Sequence, residues 1–212
     1  MSASARVTEK GKRATAEASR SRRAFKRALA KKHPPFFAAV LADARYASAN
    51  LGRPMNDESR IRVAREALRL TATSDAFIGL VLYRAKARLQ GLRIPGLPRV
   101  AHRLAIALAQ VSIGDPVVIA AGVYIPHGQV VVDGIVSIGK GTTLRPWVTV
   151  GLKEGNFDGP KIGRGVSVGT GAKIIGPVKI GDGASIGANA VVLIDVPARA
   201  TAVGVPARIL GS

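Results

Sequence analysis

An aliphatic residue returns every six positions from Ile113 to Val192: Ile113, Ile119, Ile125, Val132, Ile138, Leu144, Val150, Ile162, Val168, Ile174, Ile180, Ile186 and Val192. A helix repeats at about 3.6 residues and a half-buried strand at about 2, so neither produces this interval. A six-residue repeat fits a β-helix, in which each hexad forms one short side of a coil and its anchor points into a stacked core. Glycine often follows the anchor, as at Gly114, Gly139, Gly151, Gly163, Gly169, Gly181 and Gly187. Glycine suits a corner because it reaches positive φ freely and admits a close neighbour. These residues therefore predict a repeat domain over 111–212.

The rest of the chain reads differently. Residues 36–110 predict a helical domain, and residues 1–35 a basic tail. Pro34-Pro35 separates the two. The tail holds 11 basic and 2 acidic residues over 1–32. Its first 18 residues offer almost nothing to bury, which predicts disorder, and residues 19–32 suit a short basic helix. Helices are then expected over 36–49, after an Asn56 or Asp57 cap, after a Ser74 cap, and over about 99–110. In the second, Ile61, Ala64 and Leu68 share a face; in the third, Phe77, Leu80, Val81 and Arg84 line up. Leu92–Pro98 is a break.

Composition narrows the function. The sequence has no cysteine and three histidines, His33, His102 and His127. Disulfides, thiolate zinc sites and an acyl-cysteine intermediate are excluded. A zinc hydratase built on hexapeptide coils needs three histidine ligands, and the repeat domain has one. No metal is expected. The net charge of +19 sits mainly in residues 1–110, which hold 23 Lys/Arg against 7 Asp/Glu. A basic tail bound to nucleic acid or lipid is a lesser alternative, and nucleic acid is not expected as the main partner. No apolar run reaches the roughly 20 residues that span a bilayer, and the first 35 residues lack a secretory core segment, so a cytoplasmic location is the expectation.

Two departures from the repeat mark where chemistry is expected. The hexad opening at Ile125 has seven residues, so one bulges beside His127. The interval from Val150 to Ile162 contains LKEGNFDGPK, which breaks the pattern and reads as a loop. Histidine is a natural proton acceptor near neutral pH, and a rigid coil is a good platform for one. A general base and a surface corner histidine both remain open from the bulge alone.

From about Leu82 to the C-terminus the chain resembles the serine O-acetyltransferases of the left-handed β-helix acyltransferase superfamily. The resemblance is carried by LYRAKARLQGLRIPGLPR, IPHG, KIGRGVSVGTGAKIIGPVKIGDGASIGANAVVLIDVP and TAVGVPARILG. It implies an α+β chain, with an N-terminal α-helical domain followed by a left-handed parallel β-helix of hexapeptide repeats. It implies His127 as catalytic base, and acetyl-CoA as co-substrate along Gly151, Gly169, Thr170, Gly171, Gly187 and Ala188, with Arg208 near the nucleotide phosphates. It also implies a homotrimer, which in that family is often paired into a hexamer through the helical domains; the residues leave trimer and hexamer both open.

The acceptor side departs from the family. The aspartate expected before the base is Pro126, the one expected to orient it is Ser112, and the arginine-histidine pair of the loop is Asp158-Gly159. That leaves Asp133, as an orienting or acceptor group, and Trp147, Arg145 and Asp158 as candidate acceptor contacts. The expected function is acetylation of L-serine or a related small hydroxyl acceptor, by direct transfer. The alternative acceptors are a sugar, an amino sugar or a tailoring-pathway amine.

Overall fold

The computed structural model describes residues 28–55 and 59–211. After helical residues at 28–30, four helices precede the strands among the described residues: α1 (Phe36–Asn50), α2 (Arg60–Thr73), α3 (Phe77–Gly91) and α4 (Leu97–Ala109). Fourteen short strands follow among the described residues and stack into the three faces of a left-handed β-helix. The first face runs β1 (Val111–Ile113), β3 (Val130–Val132), β6 (Thr149–Gly151), β9 (Lys173–Ile175), β12 (Val191–Val192). The second, in chain order, is β2 (Val118–Ile119), β4 (Ile135–Ile138), β7 (Asp158–Ile162) and β10 (Lys179–Ile180). The third is β5 (Thr143–Leu144), β8 (Ser167–Val168), β11 (Ser185–Ile186), β13 (Thr201–Val203) and β14 (Arg208–Ile209). All of these pairings are parallel except β13 with β14, which is antiparallel.

Every anchor of the six-residue repeat is buried. A second inward layer lies two residues before each anchor, at Val111, Val117, Val123, Val130, Val136 and so on. Strand side chains alternate, so residues two apart share a face. The glycines after the anchors are not the positive-φ residues. Those come later in the corner, at Gly141, Gly165, Gly171 and Gly183. The post-anchor glycines instead admit the next coil: a Cβ on Gly181 would lie 2.3 Å from the Ala198 nitrogen, and one on Gly163 2.4 Å from Asp182 Oδ1.

α3 joins the helices to the coils through polar side chains. Asp43 of α1 and Arg84 of α3 form a buried pair, Nε to Oδ2 3.0 Å. Arg84 also donates to the carbonyls of Ile119 and Ala120, while Asp43 accepts from the Gly122 and Val123 amides. Tyr83 donates to the Val117 carbonyl and accepts from the Ile119 amide, and Lys86 donates to the Ile113 carbonyl. These groups belong to the first coil, whose outer edge has no strand beyond it. An unpaired buried peptide group is costly, and the helices supply the missing partners. Burial pushes the Tyr83 hydroxyl up to about 12.

Several local expectations change. α1 and the Leu92–Pro98 break hold, but α4 opens at Leu97 because a proline is tolerated in a helix's first turn. α2 is capped by Ser59, whose side chain accepts from the Arg62 amide; Asn56, Asp57 and Glu58 lie outside the described residues. Ser74 ends α2 and does not begin α3. α2 turns Val63, Ala67 and Leu70 inward and leaves Ile61 and Leu68 72% and 73% exposed. The expected disorder of 1–18 and most of the expected helix over 19–32 also lie outside the described residues.

Candidate functional site

The corner from the third face to the first carries the candidate site. Four successive coils turn there at residues 126–129, 145–147, 169–171 and 187–189. Parallel strands lie about 4.8 Å apart, so three steps down this edge cover about 14 Å. His127 opens the row. Arg145, Pro146 and Trp147 come next, then Gly169, Thr170 and Gly171, then Gly187, Ala188 and Asn189.

The seven-residue hexad is seated against the end of α4. A Cβ on Gly128 would fall 2.2 Å from the Ala109 carbonyl oxygen, so only glycine fits beneath the bulge. His127 projects outward, and its Nδ1 lies 2.8 Å from Asp75 Oδ2, with side-chain exposures of 61% and 72%. An ionised carboxylate only accepts hydrogen bonds, so Nδ1 carries the proton and Nε2 is left as the acceptor. Asp75 comes from the short link between α2 and α3. Helical domain and repeat domain therefore meet at the imidazole.

Asp75 is the residue that the sequence reading missed. It lies 52 positions before His127, in a link with no repeat to mark it. Asp133, expected to orient the ring, does not do so within the chain. β3 lies between them: His127 precedes it at one corner and Asp133 follows it at another. Asp133 instead stacks over Gly114, where a Cβ would meet its Oδ1 at 2.4 Å. Its charge bears on Lys86, whose pKa burial lowers while Asp115 and Asp133 pull it back up.

The expected acceptor and donor residues divide between two edges. Trp147 and Arg145 share the His127 corner. Arg145 Nη1 is tied to Ser167 Oγ at 2.8 Å, and Lys173 Nζ donates to the Trp147 carbonyl at 2.6 Å. Gly169, Thr170, Gly171, Gly187 and Ala188 continue that row. Gly169 and Gly187 also have packing reasons, since a Cβ there would meet the Ala188 nitrogen at 2.6 Å and the Val203 side chain at 2.8 Å. Arg208 pairs with Val203 beyond the last turn of the row. Asp133, Gly151 and Asp158 lie across the first face, at the corner from which residues 152–157 project. Asp158 is not in that projecting loop: it opens β7, paired with Ile135. Among the described residues, no cluster of three or more His, Cys, Asp or Glu could hold a metal ion, and no helix is long and apolar enough to cross a membrane.

A coil stack of this kind, with one histidine at a bulged corner, has the architecture of the hexapeptide-repeat proteins. The family described as "Bacterial transferase hexapeptide (six repeats)" matches residues 159–193. A serine acetyltransferase of Helicobacter pylori (strain J99) is 36% identical over 133 residues, 61% of this chain and 77% of that protein. One from Synechococcus elongatus is 35% identical over 150 residues, 69% of this chain and 62% of that protein. Among solved structures, soybean serine acetyltransferase complexed with serine superposes with a TM-score of 0.69 at 32% identity, covering 85% of this chain and 71% of that one. A serine acetyltransferase in complex with CoA gives 0.70 at 28% identity, covering 86% and 72%. The chain belongs to the serine acetyltransferase family. It spans about half the length of most of the first relatives it matches, from 31% to 62% in four of them.

Proposed function

We propose that this protein transfers the acetyl group of acetyl-CoA to the hydroxyl of L-serine, with His127 as general base. The hydrogen bond from His127 to Asp75 at the head of a row of small corner residues carries this reading. Nε2 takes the hydroxyl proton as the serine oxygen attacks the thioester carbonyl. A backbone N–H of the corner stabilises the oxyanion. The carbon–sulfur bond then breaks, the imidazolium returns the proton to the departing thiolate, and O-acetylserine and CoA leave. Direct transfer suits a chain without cysteine.

The pantetheine arm runs down Gly169, Thr170, Gly171, Gly187 and Ala188, whose small side chains leave backbone amides open to its own. Arg208 meets the nucleotide phosphates. Trp147 and Arg145 border the acceptor. Asp133, Gly151, Asp158 and the 152–157 loop lie on the opposite edge of the first face, so they complete a site only when a second copy brings that edge to His127. A cytoplasmic homotrimer, paired into a hexamer through the helical domains, meets that need. Serine is favoured over a sugar or amine because the curated relatives above are named serine acetyltransferases.

Thiol release from acetyl-CoA, measured against serine and a panel of sugars and amines, tests the reaction. Serine is expected to be the best acceptor. His127→Ala should lower turnover by at least about 10²-fold while calorimetry still detects acetyl-CoA binding. Unchanged turnover removes His127 from the mechanism.

A further inference from the structure

Trp147 occupies an expensive place. The third corner has one left-handed slot per coil, filled by Gln129 (φ +58), Trp147 (φ +64), Gly171 (φ +75) and Asn189 (φ +56). Glycine and asparagine enter that region readily, whereas a bulky aromatic there is a true outlier. Such strain persists only where surrounding structure holds it, and it gathers at functional sites. Here Lys173 pins the Trp147 carbonyl. The indole gains little burial in exchange, being 60% exposed.

Its place in the row says what it faces. His127 stands one coil above, and the pantetheine backbone sites stand one and two coils below. The acyl carbon must come within reach of an oxygen that His127 is deprotonating, so the thioester lies level with Trp147. We infer that Trp147 closes the acyl end of the donor groove and limits the transferred group to about two carbons. This rests on the acetyltransferase reading and adds a donor-size gate to it. Asparagine, which the last coil accepts in the same slot, would keep the fold and open that space.

The sequence contains a single tryptophan, so the whole chain reports on this residue by its own fluorescence. Acetyl-CoA is expected to change the indole emission saturably, with the dissociation constant that calorimetry gives. The ratio of kcat/KM for acetyl-CoA over butyryl-CoA should fall about tenfold or more in Trp147→Asn and stay within about threefold of wild type in Trp147→Phe. Trp147→Asn should also melt at or above the wild-type temperature, by up to about 4 °C, as the strain is released. Calorimetric binding with unchanged emission, an unchanged donor ratio in Trp147→Asn, or a lower melting temperature would each overturn the gate while leaving the acetyltransferase intact. Wild-type protein that neither binds acetyl-CoA nor releases thiol from it would instead remove the reading beneath it.

Discussion

His127 and Asp75 form a contact that, under the proposed mechanism, bears on catalysis and not on donor binding. Replacing Asp75 with asparagine preserves shape but offers Nδ1 a neutral partner that no longer selects its proton-bearing form. Losing the hydrogen-bonded partner of a metal-bound histidine typically costs about 10–100-fold, and an effect of the same order is expected for this base. Asp75→Asn should therefore lower kcat for thiol release by about that factor, with acetyl-CoA affinity by calorimetry unchanged. An equal loss in affinity would make Asp75 a structural residue. His127 stood out in the sequence because a seven-residue hexad interrupts a six-residue pattern beside it, and the family resemblance then singled it out as the candidate base. Asp75 was not, because a carboxylate supplied by a link between helices leaves no periodic trace. As a group that orients His127 within one chain, Asp133 was a candidate only in one dimension: a three-residue strand of about 10 Å puts it at a different corner.

At the scale of elements, α3 closes the coil stack. Arg84 and Asp43 are both buried, and burial pushes the Asp43 pKa up against the pull of Arg84. Arg84→Met leaves that carboxylate and the Ile119 and Ala120 carbonyls without their partner. Breaking a buried pair from one side costs about 3–5 kcal/mol, and chemical denaturation should show a loss of that order. Adding Asp43→Asn should recover part of it, because the stranded charge is then gone while an amide oxygen still accepts from Gly122 and Val123. The anchors revealed the coils because each buries one side chain per face, regardless of what lies outside. α2 was harder. Ile61/Ala64/Leu68 and Val63/Ala67/Leu70 are both helically spaced, and packing against α1 and α3, which the sequence does not display, selects the second stripe. The charged residues at the helix–coil junction left no mark in the sequence for the same reason, since nothing local shows that Lys86 or Asp43 meets a bare strand edge.

For the whole molecule, two histidines tie stability to pH. Burial lowers the His33 pKa, helped by Arg84 and Lys86. Burial also lowers that of His102, with Lys86 adding and Asp115 and Asp133 opposing. The folded state holds both neutral at a pH where the unfolded chain starts to protonate them. Their contribution is thus complete above the ordinary histidine value of about 6.5 and is lost as pH falls below it toward the lowered folded values. The melting temperature should drop between about pH 7 and pH 5.5, above the ordinary carboxylate range, and His33→Gln should flatten part of that drop. A flat profile would show that neither ring feels its surroundings. The two ends of the stack carry a different consequence. Helices seal the leading rim, and on the third face the reversed strand β14 occupies the trailing one, so a further parallel rung cannot attach to that face. Strand-by-strand elongation along that face is thereby blocked, which leaves the flanks and the helical end as the surfaces where copies can meet.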